Sequence, residues 1–126
     1  MDLQKINCAK APIAIGSYSQ AIVANGMVFC SGQIALNTEG EMVGETAASQ
    51  TKQMLENLRA VLCEAGSNLE KVVKTTIYLT NIEDFPAVNE VYAHFFGEIK
   101  PSRATIAVAA LPKNAKVEIE AIALLK

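Results

Sequence analysis

The architecture of this chain is set by residues 101–125, which read PSRATIAVAALPKNAKVEIEAIALL. The stretch predicts two β-strands joined by a short loop at 111–115, because its apolar side chains alternate with the period of two that a strand requires. Such a loop is too short for a parallel crossover, so we expect the strands to run antiparallel. If the strands are also neighbours, matching apolar faces place Ile106 opposite Ile119.

The other face of this strand pair is the first candidate site. It would carry one cation, two carboxylates and a hydroxyl: Arg103, Thr105, Glu118 and Glu120. A solvated, ion-paired surface is the ordinary interpretation of such a face. However, the register separates Arg103 from Glu118 by about 13 Å along the strands, which is too far for a salt bridge. Such a gap holds a small anion and a water, or one of the two partners comes from another subunit.

Composition narrows the class of protein. A length of 126 residues fits a single domain, 1–126, and 51% hydrophobic with 19% charged residues leaves apolar surface that an oligomer interface would cover. The net charge of -2 and a pI near 5.4 argue against a nucleic-acid partner. Cys8, Cys30 and Cys63 are odd in number and lack metal-ligand spacing, so they indicate reduced thiols in a cytoplasmic protein with no metal. Residues 11–38 are uncharged, yet polar residues and glycines interrupt them too often for a membrane span.

Local signals place the remaining elements. Asn25-Gly26 separates two apolar runs and predicts a β-hairpin with a type I′ turn. The second strand runs into Gly32, where a glycine inside a strand indicates a bulge or the close approach of another group. Helical spacing of apolar residues predicts a helix over 46–65. Asp84 is expected to cap a second helix, with Pro86 in its first turn and Gly97 at its end.

These elements predict an α+β fold in two layers, with both helices packed on one face of a mixed sheet of five to six strands. A strand over 72–80 lies between the helices. The uncovered face keeps apolar residues such as Ile122 and Leu124. We therefore expect these faces to meet in a closed homo-oligomer.

Nine short motifs, in order along the chain, resemble those of the reactive-intermediate deaminase family, also called RidA or YjgF. They are PIAIG at 12–16, YSQ at 18–20, SGQI at 31–34, VKTT at 73–76, DF at 84–85, VNEVY at 88–92, PSR at 101–103, ALPK at 110–113 and VEIEAIA at 117–123. The resemblance implies a chorismate-mutase-like fold assembled as a homotrimer, with clefts between subunits. It also implies hydrolysis, without a cofactor, of imines and enamines such as 2-iminopropanoate and 2-iminobutanoate to 2-keto acids and ammonia.

The resemblance also implies roles for single residues. Arg103 resembles the arginine that holds the substrate carboxylate, and Glu118 resembles the carboxylate that positions the attacking water. Five residues match positions that line the pocket: Tyr18, Ser31, Gly32, Asn89 and Thr105. The chain departs from the family at Ser17, where a proline is usual, and at Thr105, where several members have a cysteine. A cysteine nucleophile is therefore not expected.

Two other functions compete with this one. A non-catalytic protein that senses small carboxylate metabolites would use the same arginine, so Glu118 discriminates between the two. RNA cleavage is a third alternative, but the acidic pI and the lack of a basic stripe argue against it. Catalysis of the Ser-His-Asp or Cys-His type would have to use His94, the single histidine, whose helical position predicts partial exposure.

Overall fold

One mixed six-stranded sheet and two α-helices make up the computed structural model, which describes residues 2–125. In chain order the elements are β1 (Gln4–Ile6), β2 (Ala21–Ala24), β3 (Met27–Gln33), α1 (Ala47–Glu64), β4 (Val72–Leu79), α2 (Phe85–Phe96), β5 (Ser102–Ala107) and β6 (Val117–Leu124). The strand order across the sheet is β1-β2-β3-β6-β4-β5. The predicted α+β architecture, with both helices on one face of a mixed sheet, is confirmed. None of the helices within 2–125 is long and apolar enough to cross a membrane.

Helix α1 forms where the apolar spacing predicts it. Thr46 caps its N-terminus, because the Thr46 hydroxyl accepts from the Ser49 N–H at 3.1 Å and the Ser49 hydroxyl accepts from the Thr46 N–H at 3.1 Å. Five apolar side chains of the helix are fully buried against the sheet and α2: Met54, Leu55, Leu58, Val61 and Leu62. Gly66 follows the helix with a φ of +89°, which only glycine adopts readily.

The β2–β3 hairpin also follows its local signal. Asn25 and Gly26 have φ values of 53° and 77°, as both central residues of a type I′ turn require. The Leu125 N–H donates to the Gly26 carbonyl at 2.9 Å, so the C-terminal strand and this turn are tied together.

Helix α2 begins at Phe85, with Pro86 in its first turn, and Gly97 ends it. Asp84 occupies the position before the helix, but its side chain makes no capping hydrogen bond. Instead, Asn81 accepts from the Glu83 N–H at 3.0 Å in a preceding 3₁₀ turn. The expected role of Asp84 as a side-chain cap is therefore wrong.

The strands β5 and β6 run antiparallel as expected, but they are not neighbours, because β4 lies between them. Ile77 of β4 pairs in parallel with Thr105 and in antiparallel with Ile119. The β5–β6 connection crosses the end of β4, where the Val108 N–H donates to the Leu79 carbonyl at 2.8 Å. Passing over one intervening strand requires about 10 Å. The short connection between β5 and β6 can cover that distance.

This topology also corrects the predicted faces. Directly paired residues share a face, so Arg103 lies on the same side as Thr75, which is buried beneath the helices. Glu118 pairs with Tyr78. Tyr78 is three residues from Thr75 on β4, so Tyr78 and Glu118 both lie on the opposite side of the sheet, which the helices do not cover. The four polar residues therefore divide between the two faces, with Arg103 and Thr105 on the helix side and Glu118 and Glu120 on the other.

The uncovered side, which we call the open face, exposes large apolar side chains. Phe29, Ile106 and Leu124 are 42%, 45% and 45% exposed. Ile122 pairs with Phe29 and is half-buried on this same face. The prediction that Ile122 and Leu124 lie opposite the helices is confirmed, and the residues that contact the helices are buried on the other side.

Candidate active site

The residues predicted to form the site fall into two separate cavities. Four of them line a cavity of about 620 Å³, which we call the Glu118 cavity: Tyr18, Ser31, Gly32 and Glu118. Asn89 and Arg103 line a second cavity of about 370 Å³, the Arg103 cavity. Thr105 lies two residues beyond Arg103 on the same side of β5 but is not among the residues lining either cavity.

The Glu118 cavity is built around a β-bulge. Cys30 pairs with Ala121 and Gln33 with Ile119, so Ser31 and Gly32 together face the single residue between those partners. This is the bulge that the glycine predicted. The other six glycines of the chain have positive φ values, whereas Gly32 does not.

Glycine at position 32 is needed for space. A Cβ built on Gly32 would overlap Oε2 of Glu118. The carboxylate therefore lies directly against the backbone of the bulge, at the closest approach that a residue without a side chain permits. Both alternatives for Gly32, a bulge and the close approach of another group, hold at once.

Burial raises the pKa of the Glu118 carboxyl, and the negative charge of Glu120 raises that pKa further. Glu120 itself accepts a hydrogen bond from the Tyr78 hydroxyl at 2.9 Å. That hydrogen bond is the largest cause of the raised pKa of Tyr78. Glu118 is consequently a stronger base than an ordinary carboxylate once it is ionised.

The loop over residues 12–19 forms one wall of the Glu118 cavity and is held at both ends. The amide of Gln20, which is 2% exposed, donates to the Pro12 carbonyl at 2.7 Å. The Ser31 hydroxyl donates to the Ser19 carbonyl at 2.5 Å. Tyr18 therefore lines the cavity although 54% of its surface is exposed. The Ser31 hydroxyl stabilises the loop through this hydrogen bond, and Ser31 also lines the cavity as predicted.

Sequence reasoning missed most of the apolar lining of this cavity. Ile13, Ile15, Ile34 and Leu36 contribute side chains to it. The uncharged stretch 11–38 was the available signal, since these four residues all belong to it. Lys113 also lines the cavity, from a turn in which it adopts a φ of 55°.

Arg103 is held by side chains of one face of α2. Its Nη1 donates to Oδ1 of Asn89 at 2.7 Å. The guanidinium carbon lies 5.1 Å from the ring centre of Phe85 and 4.8 Å from that of Tyr92. Phe85, Asn89 and Tyr92 therefore share one face of α2, and Arg103 is the group that this face positions.

Tyr92 supports this arrangement from below. Its hydroxyl and that of Thr75 are 2.8 Å apart and hydrogen-bonded, and Thr75 is fully buried. Burial is the largest influence on the pKa of Tyr92 and raises it. The phenol is therefore neutral and fixed, and the guanidinium rests on it with N–H groups still open to solvent.

A second cation belongs to the Arg103 cavity. Lys100 lines it together with Pro101, and the backbone of Lys100 is left-handed, with a φ of 47°. The sequence analysis did not identify Lys100 as a residue of the site. The signal that was present is the Lys-Pro pair directly after the glycine-ended helix.

No small ligand reaches both cavities of one chain. Arg103 of β5 is aligned with Ala121 of β6 across the intervening strand β4, and Ala121 is three residues from Glu118. Their backbones are thus about 14 Å apart, and their side chains leave the sheet on opposite faces. The suggestion that one partner comes from another subunit agrees with this geometry better than a site within one chain.

Fold and site together define a small two-layer α+β protein with an arginine cavity on one sheet face and a carboxylate cavity on the other. A family model described as endoribonuclease L-PSP matches residues 8–125. The chain belongs to this family, and its predicted resemblance to the reactive-intermediate deaminases is confirmed.

Named relatives differ in their described roles. The human 2-iminobutanoate/2-iminopropanoate deaminase is 45% identical over 120 residues, which are 94% of this chain and 88% of that protein. A Lactococcus lactis protein, AldR, whose name describes it only as a candidate regulator, is 48% identical over 117 residues, 92% of this chain and 93% of that one. Among solved structures, an L-PSP protein from Entamoeba histolytica superposes with a TM-score of 0.96 at 53% identity, covering 98% of this chain and 100% of that one.

Proposed function

We propose that this protein is a deaminase that hydrolyses 2-imino acids and their enamines to 2-keto acids and ammonia. Its complete site joins Arg103 of one subunit to Glu118 of a neighbouring subunit. The observation that carries the proposal is the placement of these two groups, each in its own cavity, on opposite faces of one sheet. The 45% identity with the human 2-iminobutanoate/2-iminopropanoate deaminase supports the reaction class.

The proposed assembly is a closed ring of identical subunits. Exposed Phe29, Ile106 and Leu124 give the open face an apolar surface that a second copy covers. Arg103 lies on the edge strand β5, within reach of a neighbouring chain, whereas Glu118 lies on the inner strand β6. A head-to-tail contact between unlike surfaces closes into a ring, and the family resemblance favours three subunits.

Arg103 is suited to bind the substrate carboxylate. A guanidinium offers two parallel N–H donors to the two carboxylate oxygens, which fixes both the position and the plane of the ligand. Asn89 already occupies one donor and holds the side chain against the aromatic rings. The arginine therefore loses little conformational freedom when a carboxylate binds, because α2 has already oriented it.

Glu118 of the neighbour then acts on water. An enamine enters the same route after its terminal carbon takes a proton from solvent, which gives the iminium form of the imine. The Glu118 carboxylate accepts a proton from a water molecule while the water oxygen bonds to the iminium carbon and the C=N π electrons become a lone pair on nitrogen. The protonated Glu118 then donates this proton to the nitrogen of the neutral carbinolamine. The carbinolamine hydroxyl gives its proton to the Glu118 carboxylate as the C=O bond forms and the C–N bond breaks. The products are the 2-keto acid and ammonia, and Glu118 releases its proton to solvent. Because imines hydrolyse readily, alignment and one acid-base group supply most of the required acceleration.

Ammonia release from freshly generated 2-aminoacrylate tests the proposal. We expect the protein to accelerate release, and Arg103→Ala and Glu118→Gln each to lower the acceleration by about a hundredfold while the subunits stay associated. An unaccelerated rate with the wild-type protein overturns the proposal.

The second candidate function is a carboxylate sensor, which the name of the Lactococcus lactis relative favours. The Arg103 cavity alone would suffice for it, because the substrate carboxylate is recognised there. Binding of 2-oxobutanoate without any acceleration of imine hydrolysis would establish the sensor. The family description also names RNA cleavage. The net charge of -2 disfavours a phosphate backbone as partner, and incubation of the protein with labelled RNA tests this directly.

A further inference from the structure

The Arg103 cavity contains two cations and no acid. Lys100 and Arg103 both line it, and its six other lining residues are uncharged. One guanidinium is sufficient to hold one carboxylate. The ammonium of Lys100 is therefore a positive charge that the proposed reaction of a monocarboxylic imine does not use.

The backbone at Lys100 is unusual. Its φ of 47° is left-handed, a region that residues other than glycine adopt only infrequently. The following residue is Pro101, whose ring disfavours helical conformations of the residue before it and favours an extended one. Gly97 and a hydrogen bond of 3.1 Å from the Ile99 N–H to the Phe96 carbonyl hold this turn at the end of α2. The turn maintains a strained lysine at the rim of a binding cavity, which is where such strain tends to serve recognition.

We propose that Lys100 is a specificity-determining residue that binds a second carboxylate on the side chain of the substrate. This inference rests on the proposed function and names its substrate class: dicarboxylic 2-imino acids of four or five carbons and the corresponding 2-keto acids. Arg103 holds the carboxylate next to the reacting carbon. Lys100 holds the distal carboxylate, because an ammonium on a flexible four-carbon stem meets a point charge at a range of distances.

Volume and surroundings agree with such a ligand. A cavity of about 370 Å³ lies within the range of small-molecule sites and exceeds the needs of a three-carbon acid. Tyr92 and Phe96 form its apolar floor, against which the methylene groups of a diacid can pack. Glu118 of the same chain lines the other cavity, and in the proposed assembly Glu118 of the neighbouring subunit acts at the imine carbon, not at the distal carboxylate.

Binding of two matched keto acids to the full-length protein tests the inference without depending on catalysis. The pair is 2-oxoglutarate and 2-oxoglutaramate, which differ only in the charge of the distal group. By calorimetry we expect the wild type to bind 2-oxoglutarate about three- to tenfold more tightly, and added salt to reduce the difference. Lys100→Gln should remove the preference, Lys100→Arg should retain it, and Lys71→Gln, an exposed lysine elsewhere, serves as the control for net charge.

A preference that is equal in the wild type and in Lys100→Gln overturns the inference, as does the absence of any preference in the wild type. An activity measurement then separates this inference from the proposed function. Imine hydrolysis without a preference that depends on Lys100 leaves the deaminase intact and refutes the role of Lys100. A preference that depends on Lys100 in a protein without hydrolytic activity supports the diacid site and refutes the deaminase. Failure to bind either keto acid refutes the diacid site, and the hydrolysis measurement then decides on the deaminase by itself.

Discussion

Glu118 places a carboxylate oxygen in the space that a side chain at position 32 would fill, so Gly32 and Glu118 fit together as one unit. Gly32 lacks the positive φ that explains the other glycines, and its backbone would accept alanine without strain. The three atoms that a side chain there would meet first all belong to Glu118. The Glu118 carboxylate, which is the proposed base, therefore occupies space that is free because residue 32 has no side chain.

The first prediction follows from this contact. Gly32→Ala should displace the Glu118 carboxylate and lower imine hydrolysis by about a hundredfold. The free energy of unfolding should change by less than about 1 kcal/mol, because the group that must move is the end of a flexible side chain. Steady-state kinetics and urea unfolding measure the two effects. The Gly32→Ala, Glu118→Ala double variant is the control, since Gly32→Ala should have almost no effect on stability once the carboxylate is gone. A loss of stability that persists in the double variant would show that another contact opposes the side chain.

The second prediction concerns the shared site. Arg103→Ala and Glu118→Gln chains are each inactive alone, but a mixture unfolded and refolded together should regain about one quarter of wild-type activity, because random association pairs an intact Arg103 with an intact neighbouring Glu118 at that frequency. A mixture that was never unfolded is the control and should stay inactive if subunits do not exchange. No recovery from an assembled, refolded mixture would place both groups in one chain.

The third prediction uses the raised pKa of Glu118. The folded protein binds the Glu118 proton more tightly than the unfolded chain, so the free energy of unfolding falls as the pH rises from the ordinary carboxyl range through the raised value. Glu118→Gln removes this titration. We expect the variant to be more stable than the wild type at neutral pH and equal to it below about pH 4, by urea unfolding. Activity of the wild type should rise over the same interval as the base ionises.

Glu120→Gln is the companion measurement, because the charge of Glu120 contributes to the shift at Glu118. Its pH–activity profile should move toward lower pH. An unchanged profile would contradict the assigned cause, and a Glu118→Gln protein less stable than the wild type at neutral pH would contradict the direction.

The fourth prediction concerns the open face. Ile106→Asp places a charge in an apolar surface and should prevent subunit association, since an unpaired charge buried in an interface is strongly unfavourable. Sedimentation should show a folded monomer without imine hydrolysis. Leu3→Asp, which changes another exposed apolar residue before β1, is the control and should remain associated and active. An associated, active Ile106→Asp protein would exclude this face from the interface.

Local signals in the sequence were sufficient to predict individual helices, turns and bulges. The helix over 46–65, the turn at Asn25 and the bulge at Gly32 each depend on residues that are close along the chain, and each agrees with the structure. Such features are fixed by backbone preference and by periodicity, which a single sequence displays directly.

The order of the strands across the sheet could not be predicted from such local signals. The short β5–β6 loop indicated neighbours, but a strand that arrived earlier in the chain, β4, occupies the place between them. The face of Arg103 was then misjudged, because Ile106 was placed on the same face as Ile119, whereas Ile106 lies on the open face. Apolar residues that meet another subunit and apolar residues that meet a helix have the same pattern in sequence. Lys100 and Lys113 reach their cavities through left-handed turns, which side-chain patterns do not reveal.

The alternation along β5 makes the number of residues in that strand as consequential as their identity. Deleting or inserting one residue between Pro101 and Arg103 would turn the guanidinium away from α2 and toward the open face, while the hydrophobic character of the segment would hardly change. Conservative substitutions elsewhere in the strand leave the guanidinium on the side of α2, whereas a shift in spacing by a single position does not. Over evolutionary time, length variation should therefore accumulate in the turn before the strand and be excluded from the strand itself.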